Sequence, residues 1–178
     1  MSHQAKWTER KFDFGFPDSD YPQLIARLQK TPSTLADLLS KASDEILVRR
    51  DGESWSIQEN AGHLIDVESL FEGRLEDYAI GAEVLRPAEM TGRATYEADY
   101  NRIKTEEILE RFRTIREAYV QRLESMKPEA FGSAAMHPRL NKVMRLCDML
   151  LFQAEHDDYH LNRIQELISR YRSPEYQL

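Results

Sequence analysis

Two of the five histidines, His156 and His160, lie four residues apart inside an apolar period formed by Met149, Phe152, His156, His160, Ile164 and Leu167. Steps of three and four describe one face of an α-helix, so both imidazoles occupy positions where a buried side chain is expected. Two neutral rings facing a core need partners. A metal ion is one, and backbone carbonyls or carboxylates are others, so the spacing by itself leaves a metal site and a plain core role open.

The rest of the chain reads as further helices. Leu24, Ile25, Leu28, Leu35, Leu38 and Leu39 have helical spacing from Pro22 to Ser40, with Thr31-Pro32 marking either a kink or a restart. Ser56-Ile57-Gln58-Glu59 has the form of a capping box and predicts a second helix carrying His63 at the border of its apolar face. A third begins at Thr105-Glu106-Glu107 and runs through Leu109, Phe112, Ile115, Tyr119 and Leu123 to Met126 before Pro128. The fourth, after Pro138, carries the histidine pair and ends near Arg170. No alternating strand pattern is evident. The expectation is therefore an all-α four-helix bundle, residues 20–178, preceded by an aromatic-rich arm over residues 1–19. Gly81 to Tyr100 forms a long irregular connection between the second and third helices, of a length that suits a functional loop overhanging a site.

Bulk properties narrow the function. The chain has 178 residues, enough for one sizeable core. Its 31 acidic and 24 basic residues give a formal charge of −7, with no Lys/Arg block long enough to follow a phosphate backbone, so nucleic acid is a poor partner. No apolar run approaches the roughly 18 residues of a membrane span. The first residues lack a secretory apolar stretch and the lone Cys147 has no intramolecular disulfide partner, which points to a reducing cytoplasm.

If the second and fourth helices are neighbours, His63, His156 and His160 converge. Three nitrogen ligands with an open position is the pattern of catalytic zinc, and a single cysteine excludes a structural thiolate site. A carboxylate-bridged di-iron centre asks for repeated Glu-x-x-His motifs, and only Asp157-x-x-His160 approaches one. Asp66, three residues after His63, could orient an imidazole or be a solvated helix-face acid. Glu59 is explained more simply by the capping box. Tyr159 could donate to a bound substrate, though packing between helices is favoured. Gly62, unusual within a helix, admits either a neighbouring helix or a substrate. Cys147 reads as a buried thiol, His137 as part of a surface turn and His3 as part of a mobile terminus.

Trp55-Ser56-Ile57-Gln58-Glu59-Asn60-Ala61-Gly62-His63-Leu64, followed by His156-x-x-x-His160, resembles the DinB/YfiT-like family of helical-bundle metalloproteins. The arm and the Asp51-Gly52 turn are similar to the YfiT branch, and the likeness extends through Ala135-Met136-His137-Pro138. The resemblance implies a bundle of DinB-like topology, a divalent ion held by His63, His156 and His160, and a homodimer. Zinc is the default ion and nickel the alternative. It also implies a small electrophilic substrate and thiol transferase or hydrolase chemistry, with a low-molecular-weight thiol as possible cosubstrate. Relatives often carry a further histidine just before the final ligand, where Tyr159 stands here, and this bears on the substrate. The rival reading is a non-catalytic metal-binding or stress-response module.

Overall fold

The computed structural model describes residues 6–50, 52–173 and 176. The expectations for His3 and for Asp51 in the turn before Trp55 lie outside the described residues. Four long helices form the bundle: α1 (Tyr21–Leu39), α3 (Ile57–Ala79), α5 (Thr105–Glu124) and α6 (Leu146–Tyr171). Two short ones, α2 (Asp44–Leu47) and α4 (Arg93–Glu97), sit in the connections. α1 packs on α5 and α6, and α3 packs on the same two.

The start of α3 follows from local chemistry. Ser56 accepts the Glu59 N–H through its hydroxyl at 3.0 Å, and the Glu59 carboxylate accepts the Ser56 N–H at 2.8 Å. Two amide groups that the first turn would leave bare are thereby satisfied. Arg50 closes on the same carboxylate. Burial would raise the Glu59 pKa, but the Arg50 and Ser56 hydrogen bonds hold it below its ordinary value. The acid is structural.

α1 runs through Pro32 without a restart. A proline inside a helix offers no N–H to the carbonyl four residues earlier, here Leu28. That oxygen instead accepts the Arg116 guanidinium of α5 at 3.0 Å.

Two features depart from expectation. The fourth helix does not follow Pro138 directly, because residues 134–145 form an antiparallel hairpin, β1 (Ala134–His137) with β2 (Lys142–Arg145). Its turn is closed by the Asn141 N–H on the His137 carbonyl at 2.9 Å, with Asn141 in the left-handed region. The strands are too short to display alternation, yet the cross-strand pair Ala135 and Met144 faces the core. His137 is accordingly buried in β1 rather than exposed on a turn.

The apolar core falls into two clusters. One gathers Leu28, Phe71, Leu75, Phe131 and Leu150 near the hairpin. The other gathers Leu35, Leu64, Phe112, Leu161 and Ile164 toward the opposite end. Between them lies a buried polar layer containing Thr31, Glu68, Arg116, Gln153, His156, Asp157 and His160.

Candidate metal centre

α3 and α6 bring His63, His156 and His160 together, with one potential ligand nitrogen from each within 4.8 Å of the others. Ring centroids are separated by 5.4 Å for His63 and His156, 4.8 Å for His63 and His160, and 4.6 Å for His156 and His160. Tetrahedral zinc with bonds of about 2.1 Å would hold its nitrogens about 3.4 Å apart, so modest contraction suffices.

Hydrogen bonds define what two of the rings offer. Thr95, in α4, gives its hydroxyl proton to Asp66 at 2.7 Å, so it can only accept from His63 Nδ1, 3.0 Å away. The His63 proton is thus on Nδ1, and Nε2 keeps a free lone pair. The Asn60 amide group donates to the Trp55 and Ser56 carbonyls, which turns its oxygen toward His160 Nδ1 at 2.9 Å. His160 Nε2 is free by the same logic. His156 differs: its Nδ1 is buried with no hydrogen-bond partner among the described residues. An orphaned imidazole nitrogen beside two lone-pair donors fits a metal ion well.

The electrostatics agree. Burial pushes the His63 pKa down to about 4, against a small opposing pull from Glu89. Burial, then the His63 imidazole and the Arg116 and Arg139 charges, holds His156 well below the ordinary range, and burial followed by the other two rings does so for His160. All three rings are neutral at physiological pH, the form in which an imidazole can ligate a metal.

Asp66 forms no direct hydrogen bond with His63. It accepts Thr95 on one oxygen and the Tyr100 hydroxyl on the other at 2.6 Å, orienting the imidazole through the threonine. Gly62 explains how Tyr100 gets there, because a Cβ at that position would stand 2.2 Å from the tyrosine ring. The glycine admits Tyr100, which arrives from the long connection after α4. Nothing in the sequence singles out Thr95 or Tyr100 individually, and the length of that connection is the only signal pointing to them.

Asp157, between the two α6 histidines, faces the other way and is buried with Arg116. Arg116 donates Nη1 to it at 2.6 Å and grips Glu68 of α3 through Nε and Nη2 at 2.8 and 2.9 Å. Thr31 of α1 adds a hydroxyl to Asp157 at 2.9 Å. One guanidinium therefore ties all four long helices at the level of the histidines. Asp158 pairs with Arg27 at 2.7 Å.

A cleft of about 430 Å³ opens on the centre, lined by Lys6, Trp55, Tyr96, Tyr159, His160 and Arg163 among others. Trp55 lies 4.6 Å from the His63 ring. Tyr159 packs edge-on to His160 at 5.2 Å and lines the cleft as well. A larger groove of about 590 Å³ between α1 and α5 contains no histidine. Cys147 is buried in the apolar cluster near the hairpin, and burial pushes its thiol up to about 11, which favours the protonated form at neutral pH.

The DinB superfamily model matches residues 27–164. A solved structure, "YfiT from Bacillus subtilis is a probable metal-dependent hydrolase with an unusual four-helix bundle topology", superposes with a TM-score of 0.77 at 20% identity, covering 91% of this chain and 93% of that one. The likeness establishes the shared fold. No curated protein matches the sequence.

Proposed function

The chain belongs to the DinB superfamily, and on that premise we propose that it is a divalent-metal-dependent enzyme whose ion is held by His63, His156 and His160. The observation that carries this reading is the convergence of three neutral imidazoles within 4.8 Å, two with a lone pair set free by a partner on the opposite nitrogen and one with a buried orphan nitrogen. When bound, a divalent ion supplies Lewis acidity and lowers the pKa of a coordinated water or thiol. Zinc is the default ion and nickel the alternative.

The protein's own part is orientation and access. The Thr95–Asp66–Tyr100 chain fixes the His63 tautomer and Asn60 fixes that of His160. Trp55, Tyr96 and Tyr159 form an aromatic wall suited to a small organic substrate, and Lys6, Arg163, Glu53 and Glu166 give the mouth charges of both signs. Hydrolysis is the simpler reaction, since water is the only second reactant; thiol transfer to a small electrophile is the alternative, with a low-molecular-weight thiol as cosubstrate. The working unit is a homodimer in this reading.

The test is the metal content of protein purified without chelator, measured by elemental mass spectrometry beside the His156→Ala/His160→Ala variant. About one zinc or nickel per chain, lost in the variant, is the expected result. Metal-free wild-type protein, or equal metal in both, would overturn the ligand assignment and favour a non-catalytic module.

A further inference from the structure

On the Phe152 side of the centre, the hairpin and α3 gather cationic side chains near an acid, Asp77, that Arg86 already engages. Arg74 is 1% exposed, yet Nε and Nη2 donate only to the Arg86 carbonyl, at 3.2 and 3.1 Å, and Nη1 only to the Met149 sulfur at 3.7 Å. Asp77, an acid in its vicinity, is engaged by Arg86, whose Nε, Nη2 and backbone N–H all donate to its carboxylate. Arg139 stands over the Phe152 ring at 5.6 Å with a buried Nη2 that has no hydrogen-bond partner among the described residues. Among the described residues neither Arg74 nor Arg139 forms an ion pair with a carboxylate.

His137 completes the group. It is 1% exposed, its ring lies 5.2 Å from Phe152, and its Nδ1 accepts the Leu140 N–H at 3.2 Å. The proton of the neutral ring is therefore on Nε2, and that buried N–H has no acceptor among the described residues. Two independent donors, His137 Nε2 and Arg139 Nη2, are thus buried and unmet against one aromatic ring. Buried donors in folded proteins are almost always satisfied, and buried arginines are almost always paired. Burial, then the charges of Arg74 and Arg139, pushes His137 down to about 4, and burial brings Arg74 down to about 10 although Tyr78 and Asp77 pull it upward.

We propose that His137, Arg139 and Arg74 form an oxyanion-binding site that takes a carboxylate or phosphate group. Such a group accepts from both unmet donors and supplies the negative charge the arginines lack. Phe152 is one helical turn before His156, so the bound oxyanion lies beside the proposed metal centre and selects for anionic small molecules there. The site is built from side chains that are not metal ligands, and its test does not require the metal reading to hold.

The experiment is thermal denaturation of the full chain in inorganic phosphate and, separately, in malonate, with ionic strength fixed by chloride. The His156→Ala/His160→Ala variant is run in parallel to remove any anion bound through metal. A saturable rise in Tm is expected in both wild type and that double variant; a response to phosphate alone assigns a phosphate group, and a response to malonate assigns a carboxylate. Arg139→Gln should weaken the response at least tenfold while leaving the anion-free Tm unchanged or higher, because one repelling charge is gone. A purely structural Arg139 would instead lower the anion-free Tm. Should Arg139→Gln fail to fold, the His137 ring resonances of the wild type, followed by NMR during phosphate addition, decide the matter instead: a saturable shift supports the site. No saturable effect beyond chloride, an equal response in Arg139→Gln, or unmoved His137 resonances would overturn the proposal.

Discussion

A single threonine shows how much of the centre depends on groups that never meet an ion. Thr95 hands the charge of Asp66 on to His63 while fixing the proton on Nδ1. Thr95→Val removes both effects and should weaken metal affinity about 10- to 100-fold, read by competition with a chromophoric chelator. Gly62→Ala forces a methyl group to within 2.2 Å of the Tyr100 ring. The ring must move, at a cost of about 1–3 kcal/mol in urea denaturation, and the Asp66 hydrogen bond loosens with it. Acid should act on the metal-free chain in a defined direction. The folded pKa of His63 is depressed from 6.5 to about 4, and those of His156 and His160 lie well below 6.5. An unfolded chain binds protons below about pH 6.5 that the folded chain refuses. Stability is therefore full above about pH 6.5 and falls as pH drops from there toward about 4, which denaturant midpoints across that range would record.

Among elements, Arg116 of α5 is the joint. It binds Glu68 of α3, Asp157 of α6 and the Leu28 carbonyl of α1, and it is 1% exposed. Arg116→Met leaves two buried carboxylates without their cation and should destabilise the fold by about 3–5 kcal/mol by denaturant unfolding. The long helices and the His63, His156 and His160 set are readable from sequence because apolar period and capping chemistry are local signals. What joins the helices is not: Arg116 and Glu68 resemble solvated charges in a mixed helix, and Asp157 resembles any acid beside a histidine. The hairpin escapes a sequence reading for a related reason. Strands of four residues carry too few positions for a period, and Pro138 reads as punctuation for a helix. Thr95 and Tyr100 lie in a connection without period, where side-chain partners are set by packing alone.

At the scale of the whole molecule, the two apolar clusters meet at a polar layer instead of forming one continuous core. If an ion sits in that layer, it binds the folded chain and not the unfolded one. At about a hundred times its dissociation constant it adds about 2.7 kcal/mol, and a chain of this size should melt about 5–10 °C higher than after chelation. The His156→Ala/His160→Ala variant should melt at the same temperature with and without chelator.

The hydrogen bond between Asn60 and His160 spans 100 residues of sequence. A growing polypeptide cannot close that contact, nor gather the three imidazoles, until α6 has left the ribosome. Any ion these imidazoles hold can be captured only once α6 has emerged, and a product cut short before α6 would lack the centre even if its earlier helices had formed.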